Sequence, residues 1–119
     1  MARVLVVEDD PDQLHVRVQL LEFARHEVRP ASSLAEAISL LAEFGPEVMV
    51  MDLRLPELED GLRLIRAAGQ TTPRIVVVSG WPEDLEGRPE ANRVARILHK
   101  PAPTRRLLDI IRQLTDSPC

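Results

Sequence analysis

Four short apolar runs punctuate the chain, and each ends on a polar or charged residue. Val4 to Val7 runs into Glu8-Asp9-Asp10, and Val48 to Met51 into Asp52. Ile75 to Val78 runs into Ser79-Gly80, and Ile97-Leu98 into His99-Lys100-Pro101. The first three do not alternate apolar with polar positions. Continuous runs of this length suit strands buried on both faces, as in a parallel sheet. A weaker strand around Glu27 to Pro30 completes five. Helical periodicity fills the gaps. Leu14, Val18 and Leu21 share one face of a first helix, with Val16, Leu20 and Phe23 on the adjoining one. Asp10 is a good N-cap for it, followed by Pro11 at the first helical position and Gln13 three residues after the cap. Ser33 and Glu36 form a second capping box ahead of Ala37, Leu40 and Leu41. Leu62, Leu64, Ile65 and Ala68 mark a short third helix. Leu107, Ile110, Ile111 and Leu114 mark the last, with Thr104 as its cap. Between Trp81 and Val94 stand Pro82, Gly87 and Pro89, so any helix there is short or broken. The alternation of strand and helix predicts an α/β fold, a five-stranded parallel sheet with helices on both faces.

Composition narrows the class. The chain has 119 residues, enough for one domain over 1–119 and too few for two. Apolar residues make up 45% and charged residues 29%, finely mixed, which is a globular composition. The net charge is -4, and the sequence pI is near 5.4. No basic stripe carries interleaved aromatics, so direct nucleic-acid binding is not expected. No apolar run approaches the roughly 18 residues that span a bilayer. Met1-Ala2-Arg3 leads straight into a run too short for a signal-peptide core. The single cysteine, Cys119, offers neither an intramolecular disulfide nor a cysteine zinc site. A cytoplasmic location is the default expectation. No repeat or linker interrupts the chain, and only Ser117-Pro118-Cys119 reads as a frayed end.

The candidate chemistry lies at the strand ends, because open α/β sheets bind ligands beyond the carboxyl ends of their strands. Glu8, Asp9 and Asp10 follow the first strand, Asp52 the third, Ser79 the fourth and Lys100 the fifth. Several carboxylates, one hydroxyl and one ammonium would converge there. Clustered carboxylates resist ionising together, and a hard divalent cation resolves that cost. Magnesium takes oxygen ligands, typically one or two carboxylates plus a phosphate oxygen. A carboxylate can also act as a nucleophile and form an acyl phosphate. Magnesium, Lys100 and Ser79 would then neutralise the equatorial oxygens in phosphoryl transfer. Any one of these residues has an ordinary reading as a cap, a loop residue or a solvated lysine. Four compatible strand ends together make coincidence the weaker explanation.

At these residues the chain resembles the receiver domain of response regulators, over nearly its whole length. Val4 to Asp10 is similar to the family's first strand and acidic cluster, with Glu8 and Asp9 matching the pair that holds magnesium. Val50-Met51-Asp52-Leu53-Arg54-Leu55-Pro56 resembles the phosphoacceptor segment, which makes Asp52 the acceptor and the backbone carbonyl of Arg54 a further metal ligand. Val76 to Gly80 resembles the strand ending in the Thr/Ser switch residue, here Ser79. Leu98-His99-Lys100-Pro101 matches the lysine followed by proline, often in a cis peptide bond. The resemblance implies a flavodoxin-like fold with strand order 2-1-3-4-5. It implies transfer to Asp52 from a sensor histidine kinase or a histidine phosphotransfer protein, with Mg2+ as cofactor and slow self-catalysed hydrolysis. It also implies an output partner or homodimer through the face formed by the fourth helix, fifth strand and fifth helix. Arg54 and Trp81, each two residues past a site residue, match positions that tune phosphoryl lifetime, and Arg54 could stack on Trp81.

The chain departs from the family in several places. Ile97 stands where an aromatic switch residue is common, and Ala102 where Phe usually follows Lys-Pro. The stretch Pro56 to Gly61 has one residue more than the commonest form. Arg88-Pro89-Glu90-Ala91 lies where Gly-Ala usually precedes the fifth strand. These departures bear on output more than on the acceptor. Three other functions compete. A haloacid-dehalogenase-like phosphatase would carry a second Asp two residues after its nucleophile, and Arg54 stands there. A flavin or nucleotide carrier would cradle phosphate with glycine- or hydroxyl-rich loops, whereas Glu8-Asp9-Asp10-Pro11 repels it. A degenerate receiver used only for protein contacts would be expected to have lost Asp52, Lys100 or the acidic pair.

Overall fold

The structure, a computed structural model, describes residues 2–69 and 73–115. Five parallel strands alternate with helices. They run β1 (Arg3–Val7), α1 (Pro11–Phe23), β2 (Glu27–Ala31), α2 (Leu34–Glu43), β3 (Val48–Met51), α3 (Leu58–Ala68), β4 (Arg74–Ser79), β5 (Val94–His99) and α4 (Thr104–Thr115). The strand order is β2-β1-β3-β4-β5, as the resemblance implied. The continuous apolar runs have a direct explanation. Leu5, Val7, Met49, Met51, Ile75 and Val77 pack on one side of the sheet with Ala37 and Leu41 of α2 and Leu62, Leu64 and Ile65 of α3. Their neighbours Val4, Val6, Val48, Val50, Val76 and Val78 pack on the other with Leu21 of α1 and Leu107, Ile110 and Ile111 of α4. Successive side chains point to opposite faces. A strand covered on both sides must therefore be apolar at every position.

The helix starts follow from local hydrogen bonding. The Asp10 side chain accepts from the backbone N–H groups of Asp12 and Gln13, which caps α1. The Ser33 hydroxyl accepts from the Glu36 N–H and caps α2. The Glu36 carboxylate, however, takes the backbone N–H and hydroxyl of Ser32, one residue earlier than a capping box requires. At α4 the cap expected at Thr104 is displaced. The Pro103 carbonyl accepts from Leu107 N–H, so Thr104 is the first helical residue.

The second apolar face of α1 is left open, whereas the stretch before β5 is short and broken as its prolines and glycine imply. Val16 and Phe23 are 51% and 90% exposed, so the second apolar face of α1 is not buried. Only Leu14, Val18 and Leu21 reach the sheet side, and Val16 and Leu20 line an open groove between α1 and α4. The stretch from Trp81 to Val94 forms two 3-10 turns, Pro82–Leu85 and Pro89–Arg93. Among the described residues there are four α-helices, so an output face that needs a helix between β4 and β5 lacks that element here. Ile97, at the position matched to the aromatic switch, lies on the edge strand and is 42% exposed. No helix among the described residues is long and apolar enough to cross a membrane. The frayed end expected at Ser117-Pro118-Cys119 lies outside the described residues.

Candidate functional site

The sheet register sets the site. Val7 lies opposite Met51, and Met51 opposite Val77, so β1, β3 and β4 end at one edge. Lys100 follows β5 at the same edge, its backbone N–H bonded to the Ser79 carbonyl. This placement brings Asp52 and Lys100 together although 48 positions separate them: Lys100 Nζ lies 2.8 Å from Asp52 Oδ2. The other Asp52 oxygen, Oδ1, accepts the backbone N–H of Leu53 at 2.7 Å and of Arg54 at 3.4 Å. Asp52 is nearly buried, and its remaining exposure opens into an acidic basin of about 640 Å³. Asp9, Asp10, Gln13, Arg54, Trp81 and Lys100 share its walls. The Lys100–Pro101 peptide bond is cis, as is Leu55–Pro56.

Glu8 is the most buried member of the cluster, at 1% exposure. Its Oε1 accepts from Lys100 Nζ at 3.3 Å and from Arg17 at 3.1 Å, and its Oε2 accepts the Asp10 backbone N–H at 3.2 Å. Burial pushes the Glu8 carboxyl above the ordinary carboxylate range. The Asp10 N–H and the charges of Lys100 and Arg17 oppose that shift, while the nearby Asp52 adds to it. Both Glu8 oxygens are engaged by protein groups, whereas Asp9 is exposed at the basin. Among the described residues no three His, Cys, Asp or Glu side chains form a ready metal cage. Asp10 serves chiefly as the cap of α1. The bonds it accepts there, first from Gln13 N–H, hold its carboxyl below the usual range.

Ser79 ends β4 fully buried, and its hydroxyl accepts the Trp81 backbone N–H at 2.9 Å. The hydroxyl is thus at the correct edge but turned back onto its own loop. Arg54 and Trp81 do meet: the guanidinium carbon sits 4.0 Å from the Trp81 ring centroid. Asp84 fixes the same guanidinium from the first 3-10 turn at 3.2 Å. Beneath the loop, Gly61 of α3 packs directly on the Leu53 backbone, where a Cβ would meet the carbonyl group.

Three residues at the site escaped the sequence reading. Gln13 takes a hydrogen bond from Lys100 Nζ at 2.9 Å, Arg17 pairs with Glu8, and Asp84 anchors Arg54. Arg17 left a trace in the sequence, as a charge set among Leu14, Val18 and Leu21 on the inward side of α1. Asp84 left none, because the turn that carries it has no periodicity.

An acidic site at the carboxyl edge of a doubly wound sheet in this order defines a class of phosphoacceptor-type α/β domain. The family assignment follows from comparison: residues 4–112 match the response regulator receiver domain, and the chain belongs to that family. It is 39% identical over 92 residues to the virulence transcriptional regulatory protein PhoP of Salmonella typhimurium, a match covering 72% of this chain and 40% of that protein. It is 32% identical over 120 residues to the sensor kinase CckA of Brucella abortus, covering 97% of this chain and 13% of that one. The chain thus spans well under half the length of these curated relatives. A response regulator receiver domain from Bermanella marisrubri superposes with a TM-score of 0.84 at 33% identity, covering 94% of this chain and 96% of that one.

Proposed function

We propose that Asp52 accepts a phosphoryl group from the phosphohistidine of a sensor histidine kinase or a histidine phosphotransfer protein. The observation that carries this reading is the 2.8 Å contact between Lys100 Nζ and Asp52 Oδ2 inside an open acidic basin. It supplies a nucleophile and the cation that its product needs. An Asp52 oxygen attacks phosphorus in line, the P–N bond to the donor histidine breaks, and an acyl phosphate forms. Asp52 Oδ1 is held by two backbone N–H groups, which leaves Oδ2 as the reacting atom. Lys100 then follows the charge onto a phosphoryl oxygen. The Ser79 oxygen accepts the Trp81 N–H, which leaves its O–H to donate to a phosphoryl oxygen, and turning that O–H onto the phosphoryl group is the local switch.

Magnesium, when bound, supplies the further positive charge that a phosphoryl group beside carboxylates requires. Asp9, Asp52 and the Arg54 carbonyl are the hard oxygen donors that suit it. Glu8, with both oxygens engaged, acts from behind them. Arg54 stacked on Trp81 covers the basin and shields the acyl phosphate from water. The chain works as one receiver domain over 1–119 that assists its own phosphorylation and dephosphorylation, in the cytoplasm. Its output or homodimer surface is β5 with α4, where Arg96, Ile97, Arg105, Arg106 and Asp109 line one groove. A phosphatase reading remains disfavoured, because Arg54 stands where a second Asp would act as acid.

The test is incubation with acetyl phosphate and magnesium, followed by intact mass. The expected result is a gain of one phosphoryl group that disappears in Asp52→Asn and on chelation. An unmodified wild-type protein would refute the reading.

A further inference from the structure

We propose that Arg17 is a positioning residue for phosphoryl transfer. It holds the buried Glu8 carboxylate so that Lys100 is free to leave it for the incoming phosphoryl group. The inference rests on the reading of Asp52 as the acceptor. Arg17 and Lys100 share both of their side-chain acceptors on this side of the site. Glu8 Oε1 receives Arg17 at 3.1 Å and Lys100 at 3.3 Å. Gln13 Oε1 receives Arg17 at 3.5 Å and Lys100 at 2.9 Å. The Arg17 side chain is 14% exposed and that of Glu8 1%.

An ionised carboxylate buried this deeply needs a cation beside it. With one cation, Glu8 would tether that cation. With two, one can depart. Lys100 is the one that must, because its third partner is Asp52 Oδ2, the atom that becomes phosphorylated. Arg17 has the geometry to stay: it comes from α1, and its planar fork spans Glu8 and Gln13 together, which a lysine cannot reproduce. Without Arg17, the transfer of Lys100 from Glu8 to the phosphoryl oxygens would strand a buried charge, and the barrier to phosphorylation would rise.

The experiment compares the wild type, Arg17→Met, Glu8→Gln and the double variant, each phosphorylated by acetyl phosphate at saturating magnesium and followed by intact mass. Arg17→Met is expected to react about tenfold more slowly, the cost of one charge-assisted hydrogen bond in the transition state. In the Glu8→Gln background the same substitution is expected to change the rate by less than about twofold, because no buried charge is left to hold. Arg17→Lys, which keeps the charge but not the fork across Glu8 and Gln13, is expected to recover only part of the loss. Thermal melts in magnesium-free buffer supply a second readout: Arg17→Met lowers the melting temperature only when Glu8 is present.

A wild-type rate for Arg17→Met, or an equal slowing in both backgrounds, would overturn the proposal. Failure of the wild type to react would instead remove the acceptor reading. Should Arg17→Met not fold, Arg17→Gln replaces it under the same criteria.

Discussion

Replacing Gly61 by alanine tests how the acceptor loop is supported. In an unhindered helix interior, alanine is favoured over glycine by about 1 kcal/mol. Gly61 lies in α3 (Leu58–Ala68) and is buried. A Cβ there would overlap the Leu53 carbonyl oxygen, carbonyl carbon and Cα. The obstructing atoms are backbone, and Leu53 is fully buried, so no flexible side chain can swing away. Overpacking a filled core costs about 1–3 kcal/mol, sometimes more, and a clash with backbone belongs at the upper end. Subtracting the propensity gain leaves a net loss of about 2 kcal/mol, or roughly 10 °C in melting temperature for a domain of this size. Urea unfolding followed by circular dichroism measures it. Gly80→Ala is the control: its Cβ would meet nothing within 4 Å, and its effect should stay within about 0.5 kcal/mol. Because Leu53 follows Asp52, Gly61→Ala should also slow phosphorylation. A Gly61→Ala protein more stable than wild type would refute this packing argument.

Other consequences follow from single contacts. Arg54→Ala removes the stacking on Trp81 and the bond to Asp84. It should cost no more than about 1 kcal/mol while shifting Trp81 emission and hastening loss of the acyl phosphate; an unchanged dephosphorylation rate would defeat the shielding role. His26 accepts the Ala2 N–H through Nδ1, and burial lowers its pKa below 6.5. The folded state therefore binds fewer protons than the unfolded one, and stability falls as pH drops from 6.5 through the lower folded value. Melting temperatures at neutral and mildly acidic pH should differ less for His26→Asn than for wild type, and an equal difference would contradict the assignment. Ala102 lines the groove of about 620 Å³ between α1 and α4. Ala102→Phe should fill part of it and stabilise the protein by about 1 kcal/mol, whereas a lower unfolding midpoint would show that the groove cannot accept a ring.

Much of this architecture is legible in the sequence because the central strands are covered on both sides. Val4 to Val7, Val48 to Met51 and Ile75 to Val78 had to be continuous, and the residue ending each run had to be at the sheet's carboxyl edge. β5 was legible only at Ile97-Leu98. It is an edge strand, and Arg96 and Ile97 are exposed, so no apolar run announces its start at Val94. Periodicity placed Val16, Leu20 and Phe23 on one face of α1 correctly, but it says nothing about whether another element covers that face. The proximity of Asp52 and Lys100 is legible because strand ends converge by topology. Gln13, Arg17 and Asp84 were missed because their roles depend on side-chain reach across elements, which spacing alone does not encode.

The central claim is that Asp52, and no other carboxylate of the cluster, carries the phosphoryl group. Borohydride reduces an acyl phosphate to the alcohol and leaves free carboxylates alone, so it marks the acceptor as homoserine. Peptide mass mapping after acetyl phosphate, magnesium and borohydride should place homoserine at position 52 alone. Homoserine at Asp9, the one-carbon-longer hydroxynorvaline at Glu8, or no reduced residue in a protein that is folded by circular dichroism would contradict the account.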